Sequence, residues 1–182
     1  MIPRFERSGL LPPGEHEATW NELVARFGGE AANGRRGRLL IGLARMLLFL
    51  GEAGCEVVWL DGSFVTREKW PRDFDLCYDA SGVDLARLLP TLQDLSAGRR
   101  AQKLAFGGEA LPATFPFDWG GETVKEAFTR TREGEVKGLI RLNLLASRPE
   151  IETFVFPELE AENEAPTTPQ NPNSEKLQTG EL

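Results

Sequence analysis

The feature that most constrains the fold is an ordered succession between residues 34 and 78, in which a long amphipathic segment leads through one glycine into two short apolar runs. Leu40, Leu43, Ala44, Leu47 and Leu50 recur at helical spacing within residues 34–53, and further apolar neighbours widen the stripe. Gly54 closes that helix. Residues 56–60, Glu-Val-Val-Trp-Leu, then read as a buried strand, and Asp61-Gly62-Ser63 as a turn. Pro71 forces an extended entry into residues 73–78, Asp-Phe-Asp-Leu-Cys-Tyr, whose alternation predicts a second strand. A helix with a broad apolar stripe beside short strands must bury that stripe on a sheet, which points to a layered α/β arrangement.

The flanking segments extend this plan. Residues 2–14 are Pro-rich and extended, and Thr19-Trp20-Asn21-Glu22 has the pattern of a capping box that opens a short helix ending at Gly28-Gly29. Residues 83–95 carry helical periodicity interrupted by Pro90, and residues 98–106 form a further helix closed by Gly107-Gly108. Residues 112–121 read as loop, 124–131 as weakly helical, 136–144 as an alternating strand, and 151–156 as an added edge strand. The expectation is one α/β (α+β) domain over residues 1–156, a small mixed β-sheet flanked by helices.

Charge divides the chain. Of a net charge of −7, residues 157–182 carry −5 through six Glu against one Lys, together with four Pro and no aromatic residue. Such a stretch cannot bury enough apolar area to offset its ordering entropy, so a disordered acidic tail is expected, suited to solubilisation or to docking on a basic protein partner. The remaining body holds 20 basic and 22 acidic side chains. Its near neutrality leaves room for separate basic and acidic clusters, so the low overall pI does not exclude a phosphate-bearing partner.

Other counts exclude chemistry. His16 is the only histidine, which removes poly-His metal sites, and it lies in a turn-like Pro-Pro-Gly-Glu-His segment that predicts a solvated loop residue. Cys55 and Cys77 adjoin apolar runs and are expected to be small core residues, a disulfide being the alternative. No basic-then-apolar leader opens the chain, and residues 39–50 are too short and too Arg-flanked to span a bilayer, so a soluble cytoplasmic protein is expected.

Chemistry concentrates around residues 62–75. Period-2 geometry puts Asp73 and Asp75 on one face of their strand and Phe74, Leu76 and Tyr78 on the other. Paired carboxylates suit a hard divalent cation, whereas a glycine turn offering amides and the Ser63 hydroxyl suits a phosphate. Their conjunction is what phosphoryl or nucleotidyl transfer requires.

Helix, strand, Gly62-Ser63, nine residues and Asp73-x-Asp75 together resemble the signature of the DNA polymerase beta-like nucleotidyltransferase superfamily, in its minimal prokaryotic form. Phe5-x3-Gly9-Leu10-Leu11-Pro12-Pro13-Gly14, Trp59-Leu60-Asp61-Gly62-Ser63-Phe64-Val65-Thr66, Gly98-Arg99-Arg100-Ala101-Gln102-Lys103, Phe106-Gly107-Gly108-Glu109 and Lys137-Gly138-Leu139-Ile140 are similar to an uncharacterised bacterial family of nucleotidyltransferase-like proteins, over residues 2 to about 145. The resemblance implies that Gly62 and Ser63 bind a nucleoside triphosphate such as ATP and that Asp73 and Asp75 are catalytic and ligate Mg²⁺ (or Mn²⁺). The superfamily draws a third carboxylate from a later strand. Asn143 occupies the expected place, where its carbonyl could ligate metal but could not act as a base, and Glu109 and Asp118 are substitutes.

The basic residues complete the expectation. Both basic clusters read either as solvated helix faces or as contacts: Lys103 or Arg99, with Arg100 beside them, to the triphosphate, and Arg35, Arg36 and Arg38 to an RNA or protein acceptor. An Arg cluster opposes the helix dipole at that end, so something else must hold it there. Trp70 is rim packing or a base-stacking platform. The function implied is Mg²⁺-dependent transfer of a nucleotide to a hydroxyl of an RNA, protein or small-molecule acceptor. The alternative, motivated by Asn143 and the acidic tail, is a catalytically reduced partner-binding module of the toxin–antitoxin or phage-defence kind.

Overall fold

The computed structural model describes residues 1–29, 34–117 and 120–157. Asp118, Trp119 and all but the first residue of the expected tail lie outside them. The elements follow in the order β1 (Gly14–Ala18), α1 (Trp20–Phe27), α2 (Arg35–Glu52), β2 (Val57–Asp61), β3 (Phe74–Tyr78), α3 (Pro90–Gln93), α4 (Arg100–Phe106), β4 (Gly108–Pro112), α5 (Val124–Phe128), β5 (Gly138–Asn143) and α6 (Leu144–Val155). The strands make one mixed sheet in the order β1-β5-β2-β3-β4, with β2 antiparallel to both neighbours and the two outer pairs parallel. This is a small α+β fold.

Period-2 alternation divides the sheet into two unlike faces. Val58, Leu60, Phe74, Leu76, Tyr78, Ala110, Ile140 and Leu142 point to one side, where they join Trp20, Leu23, Leu40, Leu43, Leu47 and Ile151 from α1, α2 and α6 in the main core. Trp59, Cys77, Leu111 and Leu139 point to the other side and form a smaller cluster capped by Val124 and Phe128 of α5. Both cysteines are buried and free, and burial pushes each thiol up to about 12, so neither is a reactive thiolate at neutral pH.

Local signals behave as their chemistry requires. Thr19 caps α1 by accepting from the Glu22 amide while Glu22 returns a bond to the Thr19 amide, and Thr123 and Glu126 repeat the device on α5. In α2 the missing side chain of Gly42 lets the helix touch the end of α4. A Cβ there would stand 1.7 Å from the Phe106 carbonyl oxygen.

Four expectations change. Residues 151–156 are not an edge strand but the last turns of α6, because Ile151, Phe154 and Val155 meet the core at i, i+3 and i+4. His16 is not in a solvated loop: it is the centre of β1, half-buried, with Nε2 2.7 Å from the Pro12 carbonyl oxygen. Pro90 does not interrupt a helix over residues 83–95. It starts one as the first residue of α3, where its missing N–H costs nothing, and the preceding residues form turns on Asp84. The loop expected from residue 112 is preceded by β4, a strand buried along its whole length. No helix of the described residues is long and apolar enough to cross a membrane.

Candidate functional site

The carboxylates occupy the second face of the sheet, at the end where the small apolar cluster stops. Asp61 is paired with Asp75 across β2 and β3, and Asp75 with Glu109 across β3 and β4. Paired residues share a face, so three carboxylates stand abreast on adjacent strands in a row about 10 Å wide, with Asp73 one side-chain step further along β3's entry. Asp61 and Glu109 are buried, and Asp73 and Asp75 are half-buried.

Gly62 brings the turn onto this row. Its φ of +79° belongs to the region that favours glycine, and a Cβ there would fall 2.2 Å from Asp75 Oδ2. The backbone at Gly62 is therefore laid directly against the Asp75 carboxylate. Ser63 opens a single 3-10 turn over Ser63–Val65, and among the described residues its hydroxyl has no partner.

Basic side chains neutralise part of the row. Arg99 Nη2 lies 2.7 Å from Glu109 Oε1, and Lys103 Nζ bridges Glu109 Oε2 at 2.9 Å and Asp73 Oδ2 at 3.2 Å. Lys137 Nζ meets Asp61 Oδ1 at 2.5 Å. Gln102, fully buried, fixes the helix that delivers Arg99 and Lys103: its carbonyl oxygen accepts from the Ala110 amide of β4, and its amide donates to Leu92 and Asp94 carbonyls.

The titrations follow from these contacts. Burial pushes Glu109 up, but the hydrogen bonds from Arg99 and Lys103 outweigh it and hold the carboxyl below its usual range. Burial raises Asp61 against the pull of Lys137. Asp75 makes no ion pair among the described residues. Burial, then the charges of Asp73, Glu109 and Asp61, push it up to about 7. A half-buried carboxylate among three others, with no cation of its own, is a place where added positive charge is favourable.

The structure thus gathers Gly62, Ser63, Asp73, Asp75, Arg99 and Lys103, and does not include Asn143. Asn143 shares the face through period 2 but pairs with Val57, at the opposite end of β2, roughly 13 Å along the strand from Asp61. There its side chain accepts from the Ala146 amide and caps α6. The residues that stand beside Asp75 are Asp61 and Glu109, the first placed by being the last residue before the Gly62 turn. Among the described residues no three acidic, cysteine or histidine side chains close around one point that could hold a metal ion, because Asp61 and Glu109 turn to their basic partners.

Of the three arginines at the start of α2, Arg35 and Arg36 have a different task from either expected one, whereas Arg38 is exposed. Arg36 donates to the carbonyls of Phe27, Phe64, Thr66 and Glu68, and Arg35 to those of Pro71 and Arg72. They clamp the loop that follows Ser63 to the helix, and those carbonyls are what keeps positive charge at a helix N-terminus.

Residues 3–143 match a family of unknown function, DUF6932. No curated protein and no solved structure matches the chain.

Proposed function

The chain belongs to the DUF6932 family, and from the site its fold builds we propose that it is a divalent-metal-dependent nucleotidyltransferase. The observation that carries the reading is the alignment of Asp61, Asp75 and Glu109 on three adjacent strands, with Asp73 beside them and the Gly62-Ser63 turn laid on Asp75. A Mg²⁺ or Mn²⁺ ion bound there would polarise an α-phosphate and offset charge as pyrophosphate leaves. Asp73 and Asp75 would hold it, and the donor set is the hard oxygen kind that such ions take.

The chain's own groups supply the rest. The unpartnered Ser63 hydroxyl and the adjacent backbone receive phosphate oxygens. Lys103 and Arg99, now on Glu109, are within reach of the same space and stabilise a polyanion that enters it. Asp75, which burial and the neighbouring carboxylates push up to about 7, is the group of the row that gains most from a cation beside it.

Calorimetric titration of a non-hydrolysable nucleoside triphosphate with Mg²⁺ tests this. The wild-type chain should bind, and Asp73→Ala combined with Asp75→Ala should remove Mg²⁺-dependent binding while leaving the far-UV spectrum unchanged. Equal binding by both proteins would sink the proposal. Incubation with labelled nucleotides, Mn²⁺ and whole-cell lysate then shows which acceptor class becomes labelled.

A second reading has its own support. Arg99 and Lys103 pair with Glu109, Lys103 also with Asp73, and Lys137 with Asp61, which leaves Asp75 as the one carboxylate of the row without a basic partner among the described residues. A module that binds nucleotide without turnover, as a component of a toxin–antitoxin or phage-defence pair, fits that distribution. It is distinguished by Mg²⁺-dependent binding with no label transferred to any acceptor.

A further inference from the structure

A groove of about 650 Å³ is lined by the loop after Ser63 and by the facing ends of α1 and α2, and none of the row's carboxylates lines it. Its walls carry Arg26, Arg67, Lys69, Phe5 and Trp70, with Arg35 and Arg36 behind them and one acid, Glu68, whose carboxylate accepts from the Trp70 amide. The last two are used up on backbone carbonyls. Arg26, Arg67 and Lys69 are exposed, and none of them makes an ion pair with the described residues. They lean on aromatic faces instead: Arg26 and Arg67 lie 4.3 and 5.7 Å from the Phe5 ring centroid, and Lys69 lies 5.8 Å from that of Trp70.

Trp70 is 64% exposed, whereas Trp20 and Trp59 are buried. An exposed indole beside three cations that outnumber the single acid of a concave surface makes a joint aromatic and cationic patch. The occupant must bring negative charge for the cations and a flat π-face for Trp70. A purely acidic peptide, with no aromatic side chain, brings only the first. An unpaired nucleotide strand brings both, its phosphates to the guanidinium and ammonium groups and its bases to the ring.

We infer that this groove is a binding site for single-stranded nucleic acid. Phosphates lie on Arg26, Arg67 and Lys69, and a base stacks on Trp70. Joined to the nucleotidyl-transfer reading, on which this last step rests, the inference makes the acceptor a nucleic-acid strand. One loop carries Ser63 at the carboxylate end and Trp70 at the groove, a separation of seven residues that limits their distance to about 24 Å.

The test is run on the full chain in EDTA without nucleoside triphosphate, so it is independent of metal and of catalysis. Labelled oligonucleotides of about ten nucleotides are titrated by anisotropy, with tryptophan quenching read in parallel. The expected result is binding at low salt whose log–log salt slope is about −2, as three phosphate contacts on a single strand require. Trp70→Ala should weaken it about tenfold, Trp70→Phe should restore most of that, and Arg67→Glu with Lys69→Glu should abolish it. All these positions are exposed, and unchanged circular dichroism confirms folding. No oligonucleotide binding at low salt, binding indifferent to both sets of variants, or equal binding of a polyglutamate peptide would each overturn the inference. Oligonucleotide binding with no Mg²⁺-dependent nucleotide binding would retain the groove and remove the transferase.

Discussion

Asp75→Asn is expected to raise the melting temperature at about pH 8 by roughly 5–10 °C, the reverse of what a buried polar substitution ordinarily does. The folded state holds the Asp75 carboxyl at about 7 because burial and the neighbouring Asp73, Glu109 and Asp61 charges oppose ionisation, whereas an unfolded chain ionises it near 3.8. Between those values the native state binds the extra proton. Unfolding free energy therefore falls as pH rises through this window and is flat above it. A shift of about three units corresponds to roughly 4 kcal/mol at most, and sharing of the proton among the clustered carboxylates brings the expected loss to about 2–4 kcal/mol.

Glu109 acts with the opposite sign. Its lowered value contributes stability present above about 4.5 and lost as pH falls further, so the wild-type protein should be most stable near pH 5. Thermal melts of wild type and Asp75→Asn from pH 5 to 8 should converge at the acid end and separate at the alkaline end. Millimolar Mg²⁺ at about pH 8 should stabilise the wild type and leave the variant unmoved. Parallel curves across the range would show that Asp75 ionises at no cost and would remove the electrostatic argument for a cation there.

Arg36→Ala is the second large effect, expected to lower unfolding free energy by roughly 2–4 kcal/mol. One guanidinium reaches four carbonyls, at 3.2 Å to Phe27, 2.8 Å to Phe64, 3.3 Å to Thr66, and to Glu68. It also stacks 5.5 Å over the Phe64 ring. The bonds to Phe27, Phe64 and Thr66 are partly buried, and those carbonyls would lose a charged donor. Arg36→Lys should recover less than half, because an ammonium on a single stem cannot span the same fan of acceptors. Denaturant unfolding measures the loss, and faster amide exchange across residues 64–70 locates it. A loss under about 0.5 kcal/mol would mean that water replaces the clamp without penalty.

Much of this was legible in the sequence, and what was not has physical causes. The alternation Asp73-Phe74-Asp75-Leu76-Cys77-Tyr78 assigned both faces of β3 correctly, and the Leu stripe of α2 and the Thr19 capping box needed no tertiary information. Periodicity gives a residue's face but not its distance along the sheet. Asn143 shared the right face and lay about 13 Å too far along, since register depends on which strands pair.

Strand β4 was invisible for a related reason. Gly-Glu-Ala-Leu-Pro has neither alternation nor β-branched residues, and it is a strand because β3 offers it a parallel edge and Gln102 ties its Ala110 amide. Glu109 could be named as a substitute acid but not placed beside Asp75. Asp61 reads from sequence as part of a turn, and only the pairing of β2 with β3 puts it in the row. The arginine cluster stands out in the sequence because it opposes the helix dipole, but its carbonyl partners in the loop lie some 30 residues away.

The contact at Gly42 has a consequence for how such a chain can change over generations. The spacing between α2 and α4 is set by an atom that is not there, and α4 is the arm that hands Arg99 and Lys103 to the acids on the far side of the sheet. Glycine has no smaller neighbour, so every mutation at position 42 pushes the same way, driving the arm outward and loosening the grip on Glu109. Compensation must come from shortening something else, at Phe106 or within α4 itself. The two helices should therefore drift as a linked pair, and the site they feed inherits a ratchet located in the core rather than among its own residues.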